Sequence, residues 1–174
     1  MTKYMRTGLL VGRFQPFHFG HLDSVKHILT KMDRICIAVG SSQKSHESRN
    51  PFTSGERIDM IWNALNSDGI DGKKWMVVPV PDSENHSLWV SSLETLIPRF
   101  DLVYSNDHLT ITLLEEEGLA VERTPLYNRS IYSGTEVRRR MFSGEDWETI
   151  VPQSVVKYIK EIKGVERLVA INDI

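Results

Sequence analysis

The chain has 174 residues, 25% of them charged and 40% apolar, and its formal net charge is −2 at pH 7. This length and balance fit one soluble globular domain with a sizeable core. The small net charge gives no bulk electrostatic reason to bind nucleic acid or an anionic membrane, and no apolar run approaches the ~20 residues that cross a bilayer. The single cysteine, Cys36, excludes an internal disulfide framework and fits core packing. Because the N-terminus lacks a signal-peptide profile, we expect a cytoplasmic protein.

Short apolar runs alternate with amphipathic stretches along the whole chain. The runs, which we predict as strands, cover residues 9–11, 35–39, 76–80, 102–104 and, more weakly, 120–124. The amphipathic stretches, which we predict as helices, cover residues 18–32, 56–66, 88–97 and 109–117. Runs that are apolar at every position indicate strands covered on both faces. The alternation therefore predicts an α/β fold built on a doubly wound parallel sheet.

Helix starts are marked by two matches to the capping box, at Thr53–Glu56 and Ser133–Glu136. A last helix is predicted after Pro152, with Gly164 as its stop. No repeat, low-complexity tract or long linker interrupts the chain. We therefore expect a single domain over residues 1–174, with the C-terminal helical segment 152–174 packed on it.

The stretch Gly-Arg-Phe-Gln-Pro-Phe-His-Phe-Gly-His, residues 12–21, follows the first predicted strand and opens the first helix. His18 and His21 lie three apart on one helical face, and Gly20 between them has no side chain to block a phosphate. Two histidines at a helix start can also merely cap it or face solvent. As half of a metal site they would lack the remaining ligands. The preceding strand, the glycine and Arg13 favour a nucleotide triphosphate site.

A second group of polar residues opens a later helix, at residues 132–140. Thr135 and Arg138 lie three apart on its first turn, where a hydroxyl, free N–H groups and a guanidinium can converge on one anion. The alternative is a capped helix with a solvated basic face. Together with the histidine motif, the group is interpreted as the other half of a triphosphate clamp.

These motifs resemble those of the HxGH nucleotidyltransferase superfamily, and within it the archaeal-type nicotinamide mononucleotide (NMN) adenylyltransferases. Residues 12–21 are similar to the opening motif of that family, residues 40–46 and 49–57 to its second block, residues 132–140 to its last and residues 164–167 to its tail. The resemblance implies a Rossmann-like nucleotidyltransferase fold. It also implies transfer of AMP from ATP to NMN, which yields NAD and pyrophosphate.

The resemblance also assigns roles to single residues. It implies that His18, His21 and Arg138 are catalytic and stabilise the transition state at the α-phosphate. The residues that it implies for ATP binding are Gly12, Arg13, Phe14, Gly20, Asn106, Tyr132, Ser133 and Thr135. Mg²⁺ is expected to be carried by the ATP phosphates, with no metal ligand from the protein. Family members commonly form hexamers, so a homohexamer is expected.

For the acceptor NMN, the resemblance implies Ser41, Arg49, Asp82 and Trp89, with the carboxylate near the amide and the indole stacked on the pyridinium ring. Each has a plainer interpretation. Trp89 has helical spacing with Leu93 and Leu96 and could be core, Asp82 could be a turn residue, and Arg49 could be a solvated charge.

The chain departs from the family pattern at two places. His86 stands where asparagine is usual, and Asn106-Asp107 stands where Gly-Asn is usual, which brings the acceptor and adenosine contacts there into question. Two other functions remain open: an HxGH nucleotidyltransferase with a different phosphate acceptor, and a nucleotide sensor that binds without turnover. The intact His18, His21 and Arg138 count against the sensor.

Overall fold

Five parallel strands form one sheet in the order β3-β2-β1-β4-β5. The computed structural model describes residues 4–172, and of Ser87 the backbone only. The strands are β1 (Thr7–Gly12), β2 (Arg34–Val39), β3 (Trp75–Pro79), β4 (Leu102–Tyr104) and β5 (Val121–Glu122). The predicted doubly wound parallel sheet is confirmed. The fifth strand is shorter than the predicted residues 120–124, and Thr124 belongs to a buried polar cluster described below.

Helices connect the strands and follow the last one. Within the described residues they are α1 (Phe19–Lys31), α2 (Ser54–Ser67), α3 (His86–Leu96), α4 (His108–Glu116), α5 (Gly134–Ser143), α6 (Gln153–Glu161) and α7 (Gly164–Asn172). The first four begin and end within two residues of the bounds predicted from amphipathic spacing. Residues 4–172 include no helix that is both long and apolar enough to cross a bilayer.

Internal contacts divide the chain into two units. Within the described residues, the first comprises residues 4–12, Ser24–Ser41 and Asp71–Pro125; the second comprises Arg13–Asp23, Ser42–Ile70 and residues 126–172. All five strands and helices α3 and α4 fall in the first unit, whereas α2, α5, α6 and α7 fall in the second. The expected single domain over residues 1–174 stays a prediction.

The core of the first unit explains its continuous apolar runs. Leu9, Cys36 and Val103, from three neighbouring strands, are fully buried in one cluster with Leu93 of α3 and Leu114 of α4. Side chains on both faces of these strands are covered, as the absence of alternation predicted. Burial also raises the pKa of the Cys36 thiol to about 12, so this cysteine is an inert core residue.

The two predicted capping boxes differ. At α2 the box is complete: the Thr53 hydroxyl accepts from the Glu56 N–H at 3.2 Å, and the Thr53 N–H donates to the Glu56 carboxylate at 2.9 Å. At α5 the Ser133 hydroxyl accepts from the Glu136 N–H, but the Ser133 N–H donates to the Ile131 carbonyl. The Glu136 carboxylate is bound instead by Arg139 and Arg140, so only half of that predicted box forms.

The prediction that Gly164 ends the last helix is wrong. Helix α6 ends at Glu161, Lys163 takes the left-handed backbone conformation (φ 54°), and Gly164 begins a further helix, α7. The glycine is needed for close packing instead. A Cβ added to Gly164 would lie 2.7 Å from Cε1 of Phe52 and 3.0 Å from Cγ2 of Ile159. Sequence spacing could not reveal this contact, because Phe52 lies more than a hundred residues away.

Candidate active site

In the second unit, aromatic side chains of the loop after β1 pack against His21. Phe14 and Phe17 are buried, and their ring centroids lie 4.7 and 5.4 Å from that of His21. Phe14 takes a positive φ of 52°, which a bulky residue adopts only when surrounding contacts compel it. The two apolar rings therefore help to orient the His21 ring.

The two histidines of the motif form a stacked pair. Their ring centroids lie 3.6 Å apart with an interplanar angle of 22°. His18 directly precedes α1, and its carbonyl accepts the first hydrogen bonds of the helix. Its backbone N–H donates to Nδ1 of His21 at 3.3 Å. Since Nδ1 of His21 is an acceptor, the ring proton of the neutral His21 sits on Nε2, which is then a donor.

Both rings are held in the neutral form. Burial, with a smaller contribution from the charge of Arg138, lowers the pKa of His18 to about 3. Burial and the neighbouring His18 ring lower the pKa of His21 well below its ordinary value. Nδ1 of His18 is buried and has no hydrogen-bond partner among the described residues. The pair thus offers neutral N–H donors rather than two positive charges.

Gly20 permits the close approach of two other groups. A Cβ at this position would lie 3.1 Å from Nδ1 of His18 and 3.1 Å from Cβ of Tyr132. Tyr132 also packs edge-on against Phe19, with ring centroids 6.0 Å apart. From the sequence, Gly20 is predicted to leave room for a phosphate. In this structure its immediate neighbours are the His18 ring and Tyr132, so any side chain here would press on both.

Arg138 reaches from α5 to the loop after β1. Its guanidinium donates to the Gln15 carbonyl at 2.7 Å and to the Thr135 hydroxyl at 3.5 Å. Burial, together with the charges of Arg13 and Arg49, lowers the pKa of Arg138 to about 10. The charges of Arg13 and Arg49 thus both act on Arg138.

These guanidiniums have no carboxylate counterion in the part of the chain that the structure describes. Among residues 4–172, neither Arg13 nor Arg49 nor Arg138 forms an ion pair with a carboxylate. Clustered like charges are unfavourable unless an anion compensates them. Ser133, the N-cap of α5, and Thr135 lie at the start of the helix that carries Arg138. The N–H groups at a helix start favour negative charge. The arrangement suits a polyanion such as a triphosphate.

Two buried polar residues that the sequence analysis did not single out fix this loop. The Gln15 side chain is 3% exposed, and it donates to the Phe52 carbonyl at 2.9 Å and accepts from the Phe52 N–H at 3.0 Å. Arg57 is fully buried and donates to the carbonyls of Thr53 and Arg13. Both stand inside motif blocks, but nothing in their spacing shows that their partners are backbone groups.

The remaining candidates belong to the first unit and follow the carboxyl ends of its strands. Because the strands are parallel, these ends share one edge of the sheet. Gly12 ends β1, and its carbonyl accepts from the Gly40 N–H at 2.8 Å. Beyond β2 and β3, the Ser41 hydroxyl donates to the Asp82 carboxylate at 3.0 Å. Ser41 and Asp82 are thus in direct contact, and their assignment to one NMN subsite stays a prediction.

Asn106, after β4, is tied to a small polar cluster in the same unit. Its side-chain amide donates to the Thr124 hydroxyl at 2.8 Å, which also lies 3.1 Å from the Ser24 hydroxyl. Asp107 accepts from the Thr110 N–H at 2.8 Å and caps α4. Neither Asn106 nor Asp107 has a positive φ. The departure from Gly-Asn at this point therefore requires no glycine-like backbone and supplies a helix cap.

Trp89 lies on α3, half-buried, and packs against the core cluster of the first unit. Leu93 of the same helix is fully buried, whereas Leu96 is 46% exposed. The contact with the core agrees with the plainer interpretation of Trp89. The residue is partly exposed, which leaves some of its surface available to a ligand. His86 is exposed and is the first residue of α3.

The structure distributes the predicted site residues over both units. Those in the second unit are Arg13, Phe14, His18, Gly20, His21, Arg49, Tyr132, Ser133, Thr135 and Arg138. Those in the first unit are Gly12, Ser41, Asp82, Trp89 and Asn106. Within residues 4–172 no three or more side chains of His, Cys, Asp or Glu come together in a way that could hold a metal ion.

Comparison of the chain with known proteins shows which family it belongs to. The profile of the cytidylyltransferase-like family matches residues 9–140. Among curated relatives, a nicotinamide-nucleotide adenylyltransferase of Methanolobus tindarius is 46% identical over 97% of this chain and 95% of its own length. Enzymes of the same name from Methanosarcina barkeri and Archaeoglobus fulgidus are each 49% identical, over 94% and 91% of this chain and 93% and 92% of their own lengths. The predicted resemblance to archaeal-type NMN adenylyltransferases is thereby confirmed.

Solved structures show the same fold at lower identity. A bifunctional NMN adenylyltransferase/ADP ribose pyrophosphatase from Francisella tularensis superposes with a TM-score of 0.80 at 21% identity, over 96% of this chain and 53% of that one. A second structure of such a protein from Francisella tularensis, complexed with AMP and a Mn ion, has a TM-score of 0.74 at 20% identity and covers 96% of this chain and 52% of that one. The profile match and the near full-length relatives together show that the chain belongs to the cytidylyltransferase-like family.

Proposed function

We propose that this protein is a nicotinamide-nucleotide adenylyltransferase, which transfers AMP from ATP to NMN and forms NAD and pyrophosphate. The observation that carries the proposal is the neutral, stacked His18–His21 pair in one unit with three guanidiniums that form no ion pair with a carboxylate among residues 4–172. Curated relatives of this name at 44–49% identity give it the specific reaction.

The chemistry fits these groups. A phosphate oxygen of NMN attacks the α-phosphorus of ATP, a new P–O bond forms, and the bond to the β-phosphate oxygen breaks to release pyrophosphate. The attacking phosphate is an anion near neutral pH, so no general base is needed. The protein has to align the two anions and stabilise the charge on the α-phosphate.

The site residues take the following proposed roles. Nε2–H of His21 and the His18 ring donate hydrogen bonds to the α-phosphate oxygens, and Arg138 neutralises charge there. The residues proposed to bind ATP are Gly12, Arg13, Phe14, Gly20, Asn106, Tyr132, Ser133 and Thr135. Those proposed to bind NMN are Ser41, Arg49, Asp82 and Trp89. In support of the latter, Ser41 and Asp82 are hydrogen-bonded, and Trp89 keeps part of its indole exposed.

A divalent cation is proposed as part of the substrate. The charge of the triphosphate favours a MgATP complex in which phosphate oxygens and water supply the ligands. The residues proposed to contact the α-phosphate, His18, His21 and Arg138, carry imidazole and guanidinium groups, which bind phosphate oxygens rather than the cation. A homohexamer and a cytoplasmic location are further proposals; they rest on the family resemblance and on the chain's composition. Analytical ultracentrifugation of the purified protein tests the first of these.

The direct test is incubation with ATP, Mg²⁺ and a panel of phosphate acceptors, with products identified by mass and pyrophosphate measured separately. The expected result is NAD from NMN, at a higher rate than any product from phosphopantetheine, glycerol phosphate or flavin mononucleotide. Arg138→Met, assayed beside the wild type, should lose most of this rate. Pyrophosphate release with another acceptor alone would refute the assignment of NMN. Tight ATP binding without turnover on any acceptor would instead indicate a nucleotide sensor.

A further inference from the structure

Arg49 lies in the segment from Glu47 to Thr53, whose backbone is held by hydrogen bonds on both sides of this residue. Glu47 and Asn50 exchange backbone hydrogen bonds of 3.2 and 2.9 Å, and the Asn50 amide donates to the Glu47 carboxylate at 3.0 Å. Pro51 and Phe52 follow and are buried. Arg49 itself is exposed, so its direction depends on how its neighbours in the chain are held.

Arg167, in α7, is one of the residues that hold this segment. One nitrogen of its guanidinium donates to the Pro51 carbonyl at 3.2 Å and to the Glu56 carboxylate at 2.7 Å, and the other donates to the same carboxylate at 2.7 Å. The side chains of Arg167 and Glu56 are only 21% and 16% exposed. A bidentate, largely buried pair of this kind fixes geometry far better than an exposed ion pair does.

Glu56 transmits the contact to the turn before α2. Its carboxylate also accepts from the Thr53 N–H at 2.9 Å, so one acid joins α7 to the cap of α2. Burial alone would raise the pKa of Glu56, but the bonds from Arg167 and Thr53 keep that pKa below its ordinary value. The pair is therefore charged at neutral pH, and it holds Pro51 and Thr53, on either side of Phe52, at once.

We propose that Arg167 is a positioning residue for acceptor binding, which fixes the Pro51 backbone so that the Arg49 guanidinium faces the phosphate of NMN. The inference rests on the proposed function, in which Arg49 binds that phosphate. Arg167 itself lies on the last helix and touches Pro51 and Glu56. We therefore expect substitution of Arg167 to change the KM for NMN but not the KM for ATP.

The test is steady-state kinetics of Arg167→Met with ATP and NMN varied separately. The KM for NMN should rise about tenfold, the loss expected when one charge-assisted hydrogen bond is no longer preorganised. The KM for ATP and kcat should each stay within about threefold of the wild-type values, because the hydrogen bonds of Arg167 go to Pro51 and Glu56 and not to His18, His21 or Arg138. Arg167→Lys reaches only one acceptor group at a time, and it should raise the KM for NMN by a smaller factor, about threefold.

Two comparisons separate positioning from general destabilisation. Tyr158→Phe removes the 2.8 Å hydrogen bond that joins α6 to Asp59 of α2, and this variant should leave the KM for NMN unchanged. In the Arg49→Ala background, Arg167→Met should add no further rise, because the residue through which it acts is gone.

The inference is overturned if the KM for NMN stays within twofold of wild type, or if the KM values for ATP and NMN rise equally. Should Arg167→Met fail to fold, Arg167→Lys decides by the same criterion. Failure of the proposed function appears separately, since the wild type would then make no NAD before any variant is compared.

Discussion

The buried histidine pair predicts how the stability of this protein changes with pH. His18 has a pKa of about 3 in the folded chain, against an ordinary value of 6.5 when the chain is unfolded. Between these values the unfolded state binds a proton that the folded state does not. The free energy of unfolding therefore falls as the pH is lowered through 6.5 toward 3, and it is highest above pH 6.5.

The magnitude follows from the size of this interval. At pH 5 the solution lies about 1.5 units below the unfolded pKa and well above the folded one, and each unit corresponds to about 1.4 kcal/mol. His18 alone should therefore cost about 2 kcal/mol of stability between pH 7 and pH 5. His21, whose pKa burial also lowers, acts in the same direction.

Urea denaturation at pH 5, 6, 7 and 8, followed by tryptophan fluorescence, measures this effect. The loss of stability from pH 7 to pH 5 should be smaller by about 2 kcal/mol in His18→Gln than in the wild type. Effects of carboxylates common to both proteins cancel in this difference. His46→Gln alters an exposed histidine and should follow the wild type. An equal loss in wild type and His18→Gln would show that His18 is not a buried neutral group.

Three further predictions follow from the site and its packing. His21→Ala should lower kcat by about a hundredfold with little rise in KM, because its hydrogen bond strengthens in the transition state; an unchanged kcat would remove His21 from that role. Trp89→Ala should raise the KM for NMN more than that for ATP, whereas a loss confined to the urea midpoint would assign Trp89 to the core. Gly164→Ala should lower the free energy of unfolding by about 1–3 kcal/mol, because its Cβ would lie 2.7 Å from Phe52. Gly72→Ala, where nothing lies within 4 Å, is the control and should lose little stability in the same urea titration.

The parts of the fold that depend on local pattern could be predicted from the sequence. Continuous apolar runs gave four strands because each is covered on both faces, and amphipathic spacing gave α1 to α4 because each buries one stripe. The complete cap at Thr53 involves two residues three apart, which sequence shows directly. The spacing of His18 and His21 likewise predicted that they lie on one face, and the structure adds that their rings stack.

What the sequence could not show depends on partners far away in the chain. Gln15 binds the backbone of Phe52, Arg138 binds the Gln15 carbonyl 123 residues away, and Arg167 binds Glu56 across 111 residues. Spacing has no information on such pairs. For the same reason the role of Gly164 was misread, since its close neighbour Phe52 comes from another part of the chain.

The three guanidiniums without a carboxylate partner among the described residues also affect the stability of the protein before substrate binds. The charges of Arg13 and Arg49 act unfavourably on Arg138, and this repulsion is part of the free energy of the folded state. Ionic strength screens it, so the melting temperature should rise with salt, and small polyanions should raise it further by occupying the same place. Inorganic phosphate is such an anion. A phosphate buffer should therefore weaken the apparent binding of ATP, whereas an uncharged or cationic buffer should leave it at full strength.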